Sequence, residues 1–177
     1  MKNEKFVYLF VVLFIFLTFF RTSVFAQSNY VLPYPSSMPG NLSYKTHLLY
    51  EIVSRYWYFG DFGQFDYNLK LSDKYLVEAK TLFEYKQYLL GYQALKKSDK
   101  YFINILPNLV KAEKNDKNVS QKKAIFTEAA QKHIEILRRM LIDNPETFNW
   151  QPERALSTNL DIKSAIGISI KIRNNNL

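Results

Sequence analysis

His133 stands five positions after Glu128 and two before Glu135, in a chain with one other histidine, His47, and no cysteine. A carboxylate-bridged metal centre in a helical protein takes a Glu and a His three residues apart on each of two helices, with further glutamates in support. Position 130 is Ala and position 44 is Tyr, so neither histidine has that upstream Glu. Zinc or iron would be short of ligands even if the two histidines met. His133 lies in an apolar stripe and is expected as a hydrogen-bonded core side chain, His47 as an exposed one. No metal and no cofactor are expected.

Hydrolytic chemistry finds no better footing. The sequence has no Gly-x-Ser-x-Gly elbow and no glycine-rich phosphate cradle. Asp61 and Asp66 flank a glycine-containing turn, but a catalytic carboxylate pair needs one member desolvated or a defined separation, and capping or turn formation is the simpler role. With no nucleophile, base and stabilising group to assemble, no catalytic residue is assigned and a non-enzyme is expected. The aromatics are the unusual inventory. Twelve of the thirteen tyrosines fall between Tyr30 and Tyr101. Tyr56-Trp57-Tyr58-Phe59 is contiguous, so one helical face cannot hide all four. Tyr85, Tyr88 and Tyr92 would stand together if helix ran through them. Amphipathic rings suit protein interfaces and also stack on sugars. Tyr56, Trp57, Tyr58, Tyr85, Tyr88 and Tyr92 are therefore the candidate interaction surface, for an envelope protein or a second copy. The alternative is a glycan or small ligand held by the same rings with Lys86 or Arg55.

The elements that carry these residues read as successive helices, an all-α up-down bundle of four to five. Leu48, Leu49, Ile52, Val53 and Tyr56 recur at helical spacing, giving a first helix over 43–58 with Ser43 as N-cap. Phe59 to Gly63 marks a turn. A second helix starts near Gln64, with Phe65, Leu69, Ser72, Leu76, Ala79 and Phe83 on one seam and Leu71, Tyr75 and Leu82 widening it. That breadth suits a bundle core better than a two-stranded coiled coil. The third starts near Tyr88 and carries Leu95, Ser98, Phe102, Ile105 and Leu109, with Pro107 bending or breaking it. After the polar stretch 113–118, a fourth runs from Val119 to Ile142, with Ser120 as cap and Phe126, Ala130, His133, Leu137, Met140 and Leu141 inward. Short connections make neighbours antiparallel. Residues 143–152 read as a loop anchored by Trp150, with Pro152 opening a last helix. Ile162, Ile166, Ile168, Ile170 and Ile172 suit a strand by alternation and a helix by their four-residue spacing. Helix is favoured because no second strand is available within the chain, a strand requiring pairing between two chains. Asn174 to Asn176 are expected to fray.

Residues 1–26 have the pattern of a secretory signal peptide. Lys2 and Lys5 precede an apolar run from Phe6 to Phe20 broken only by Thr18, and Val24-Phe25-Ala26 offers a cleavage site before Gln27. The run is short for a span, which takes roughly 20 apolar residues; membrane contact is expected only through this leader, if uncleaved. Residues 27–42 form a proline-rich extended lead-in, where Pro33, Pro35 and Pro39 fix the backbone. Residues 43–173 form the helical domain, large enough to bury a core without disulfides. The whole chain carries a formal charge of +8, and +6 once Lys2, Lys5, Arg21 and Glu4 are set aside. Its lysines (Lys70, Lys74, Lys80, Lys86, Lys96, Lys97, Lys100) are scattered rather than striped, which argues against nucleic acid.

The lead-in Leu32-Pro33-Tyr34-Pro35 to Pro39, with Leu69-Lys70-Leu71 and Leu76-Val77-Glu78-Ala79-Lys80-Thr81-Leu82 downstream, resembles the bacterial domain of unknown function family 5667. The resemblance covers roughly residues 31–105. Where the family has a proline–leucine–tyrosine run followed closely by a lysine, this chain has Leu42-Ser43-Tyr44 and His47. The resemblance implies an exported, all-helical, extracytoplasmic domain of the cell envelope. It implies no activity and brings no catalytic residues.

Overall fold

The computed structural model describes residues 28–35, 38–40, 42–154 and 156–177. The leader over 1–26 and the start at Gln27 lie outside the described residues. Helix α1 spans Leu42–Ser54, α2 Gly60–Glu84, α3 Tyr88–Ile103, α4 Ile105–Lys114 and α5 Ser120–Asp143. Strands β1 (Thr147–Trp150) and β2 (Thr158–Asp161) form an antiparallel hairpin with Phe148 opposite Leu160, and α6 spans Ile162–Asn174. The fold is thus mostly helical, with a small hairpin that the all-α reading lacked. Helices α2 to α6 make the bundle, and α1 lies along α2.

The α2 seam behaves as its spacing requires. Phe65, Leu69, Ser72, Leu76, Ala79 and Phe83 are all buried, as are Leu71, Tyr75 and Leu82. They pack on Leu95, Phe102, Ile105 and Leu109 of α3 and α4 and on Phe126, Ala130, Leu137 and Met140 of α5, all buried too. Helices α2 and α3 run antiparallel and approach closely at two places. Ser98 Oγ donates to the Ser72 carbonyl at 2.8 Å, and a Cβ on Gly91 would sit 3.0 Å from the Phe83 ring. Burying two small hydroxyls is tolerable because each finds a carbonyl across the seam.

Several boundaries differ from the sequence reading, each for a local reason. Helix α2 begins at Gly60, whose φ of +67° suits glycine, and Gly63 lies inside it because a Cβ there would come within 2.7 Å of the Tyr58 carbonyl carbon. The α3–α4 break falls at Asn104, which leaves Pro107 in the first turn of α4, where no intrahelical N–H is needed. Val119, not Ser120, stands at the N-cap of α5, and the Asn118 Oδ1 just before it accepts from Ser120 N at 3.0 Å. Ser43 lies within α1 rather than ahead of it. Pro152 precedes β2 and opens no helix; α6 starts at Ile162, capped by Asp161, whose side chain accepts from Ser164 N at 2.9 Å. The isoleucine run is helical, with Ile162 and Ile166 buried and Ile168 exposed, and α6 persists to Asn174. Phe148, 4.8 Å from the Tyr88 ring, anchors the hairpin, whereas Trp150 stays 37% exposed.

Residues 28–35 of the lead-in carry no helix or strand and are strapped across the bundle. Ser28 Oγ donates to the Glu128 carbonyl at 2.9 Å, Tyr30 Oη donates to Asp73 Oδ2 at 2.6 Å, and Leu32 and Met38 rest on the core. Asp73 also holds His133, its Oδ1 2.7 Å from Nε2. His133 is fully buried beside Phe102, and burial presses its pKa below the ordinary value. A neutral ring donating through Nε2 matches this site. A second polar lock ties α6 to α3: the buried Arg173 guanidinium pairs with Asp99, donates to Ser98 Oγ at 2.8 Å and lies 4.8 Å from the Phe102 ring centroid. Ser169 Oγ completes it by donating to Asp99 Oδ2 at 2.7 Å.

Candidate interaction surface

Helix α1 inverts the usual arrangement. Its buried residues are Tyr44, Glu51 and Ser54, while Leu49 is 64% exposed, Ile52 63%, and Leu42, Tyr50 and Val53 are exposed as well. Of the stripe Leu48, Leu49, Ile52, Val53 and Tyr56, only Leu48 is half-buried and the other four face out. The reason lies in the seam. Glu51 pairs with Lys74 of α2, accepts from Tyr75 Oη at 2.6 Å through its other oxygen, and offers its backbone carbonyl to Tyr67 Oη at 3.1 Å. Tyr44 Oη donates to Glu78 Oε1 at 2.9 Å. These contacts set the rotation of α1 about its axis and turn Leu49, Ile52 and Val53 away from the bundle.

The seam's electrostatics follow from burial. The Tyr44 and Tyr75 hydroxyls are held well above the usual phenol range, by desolvation first and then by their carboxylate partners Glu78 and Glu51. Burial also pushes the Glu78 carboxyl up, against the pull of Tyr44, Lys74 and Lys97, and its Oε2 is buried without a hydrogen-bond partner. The seam is a set of phenol donors and one lysine holding acidic acceptors.

Past Ser54 the chain turns and presents Tyr56 (73% exposed), Trp57 (62%) and Phe59 (80%). The Tyr50 and Trp57 ring centroids are 6.4 Å apart, so the α1 face and this turn form one continuous surface. Tyr58 is different. It is half-buried, 5.5 Å from the Tyr67 ring, and belongs to the packed cluster of Tyr67, Leu71, Tyr75 and Tyr101.

Tyr85, Tyr88 and Tyr92 do not join this surface. The helix stops after Glu84, and Lys86 takes a φ of +59° before α3 starts, so the three tyrosines do not share one continuous helical face. Tyr85 is exposed at the corner, while Tyr88 and Tyr92 pack against the core. The two aromatic groups sit at opposite ends of α2, whose 25 residues span about 37 Å. Leu49, Ile52 and Val53, read in the sequence only as the apolar spacing of a first helix, belong to this surface, and Tyr50 and Phe59 join it. Their signal was present: Glu51 and Ser54 interrupt the apolar pattern on the side that turned out to be inward.

Among the described residues no group of three or more His, Cys, Asp or Glu side chains could hold a metal ion, and no helix is long and apolar enough to cross a membrane. No family model, curated protein or solved structure matches the chain.

Proposed function

We propose that this chain is a non-catalytic binding domain that works outside the cytoplasm and docks a protein partner on the outer face of α1 and the 55–59 turn. The observation that carries this reading is the inverted helix. Leu49, Tyr50, Ile52, Val53, Tyr56, Trp57 and Phe59 stand together in water while a polar seam holds the same element in place. Contiguous exposed apolar surface of this kind marks interaction sites. Covering each large side chain contributes roughly 1.5–3 kcal/mol, and Tyr and Trp are the types that dominate binding at interface centres. The extracytoplasmic location rests on the leader-like sequence of residues 1–26.

The test is in-cell crosslinking of the full chain against the variant Ile52→Ser/Trp57→Ala/Phe59→Ala. All three side chains are exposed, so Tm should shift by no more than about 4 °C. The wild type should give a defined crosslinked protein that the variant loses. Sedimentation of the purified chain shows whether that protein is a second copy. Equal capture by the variant overturns the assignment.

A further inference from the structure

At the foot of α1, a cavity of about 380 Å³ opens between the start of α2 and the α3–α4 joint. Arg55, Lys100 and Lys111 line it, contributed by three different segments, and no carboxylate is among its lining residues. None of the three forms an ion pair among the described residues. The carboxylates nearest in influence are engaged elsewhere: Asp61 by Lys117 and Asn115, Glu51 by Lys74 and Tyr75. Three like charges around one concavity repel each other, and an anion placed between them relieves that repulsion.

The other polar lining is neutral. Gln64 Nε2 donates to the Tyr58 carbonyl at 2.6 Å, and Asn68, Asn104 and Asn108 each donate to the backbone carbonyl four residues earlier, at 2.7 Å. Each of these asparagines uses one N–H in this way, which leaves its second N–H and its oxygen, a donor and an acceptor, for the hydroxyl groups of a ligand. We infer that this pocket binds a phosphate ester of a sugar or polyol, the cations taking the phosphate and the amide oxygens taking hydroxyl protons. A cavity of this volume lies at the lower end of ordinary ligand pockets and suits one sugar or polyol unit. The inference is independent of the α1 face, whose substitutions leave Arg55, Lys100 and Lys111 in place.

The test follows the side-chain amide resonances of Gln64, Asn68, Asn104 and Asn108 while titrating the purified protein with glycerol 3-phosphate, glucose 6-phosphate, glucose and inorganic phosphate. Saturable shifts with the two esters are expected, at least about tenfold weaker in Lys100→Gln/Lys111→Gln. These side chains are exposed, so an unchanged melting curve keeps the comparison valid; Arg55→Gln serves as a second variant. A glycerol-phosphate polymer distinguishes sources: tighter binding than the monomer indicates a polymeric ligand, and equal or weaker binding a free ester. Inorganic phosphate binding as tightly as the esters overturns the inference, as does binding unaltered in both variants, or no shift at all.

Discussion

Helices α1 and α6 are each thirteen residues long and lie towards opposite ends of the described chain. Helix α6 buries Ile162, Ala165 and Ile166 and adds a buried polar pair, Arg173 with Asp99. Helix α1 buries Tyr44, Glu51 and Ser54 and leaves Leu42, Leu49, Ile52 and Val53 outside. In α6, apolar contact drives association and the ion pair fixes the register. In α1, polar contacts set the orientation and apolar contact is withheld. The difference teaches that an amphipathic pattern identifies residues sharing a face, while the partner of that face is a separate question.

The largest expected effect breaks the better-buried of the two. Arg173→Met removes the cation and leaves Asp99 charged in the interior, a change that costs about 3–5 kcal/mol and lowers Tm by roughly 10 °C. The double variant Asp99→Leu/Arg173→Met should recover most of that loss, because burying neither charge is often as favourable as pairing both. Thermal melts of the three proteins check it.

A smaller effect separates α1 from the rest. Glu51→Ala deprives Lys74 and Tyr75 of their acceptor and should weaken the seam by about 1–3 kcal/mol. Amide hydrogen exchange should rise on the order of tenfold over residues 44–54 and stay unchanged along α2 from Phe65 to Phe83. Uniform acceleration of both helices would show that α1 and the bundle form one cooperative unit.

The smallest effect is electrostatic. Burial raises the Glu78 pKa above the ordinary value of 4.5, so the folded chain holds this proton more tightly than the unfolded one. The associated stability is complete below the unfolded pKa and is lost as pH rises through the folded one. Glu78→Gln removes that ionisation. It should flatten the decline in Tm above pH 4.5 and leave the protein a few degrees more stable at pH 7. Melts across that range, with wild type alongside, check the slope.

Much of the bundle was legible in the sequence because its seams are long and regular. Phe65 to Phe83 and Leu95 to Leu109 repeat at helical spacing for several turns, and the structure buries every member. The polar locks were less visible. Asp73 meets His133 across 60 residues and Asp99 meets Arg173 across 74, and no local pattern links positions so distant. The hairpin escaped because Thr147–Trp150 and Thr158–Asp161 are four-residue strands, mostly exposed, and the alternation of Phe148 and Trp150 is too short to mark a strand. The candidate surface was half legible. Contiguity revealed Tyr56 and Trp57, whereas the outward turn of Leu49 and Ile52 depends on Glu51 finding Lys74 and Tyr75 on another helix. Tyr85 to Tyr92 misled because one left-handed residue, Lys86, ends the continuity their spacing implied.

The strap formed by residues 28–35 has a consequence for the order in which the chain assembles. Ser28 and Tyr30 precede every described helix, yet Ser28 needs the Glu128 carbonyl, a hundred residues later, and the Asp73 that holds Tyr30 also holds His133. Such contacts close a long loop and form only when both ends are present. The first described residues to leave a ribosome or translocation channel are therefore among the last to find their place. Until α5 docks, they remain accessible to whatever handles the chain in transit.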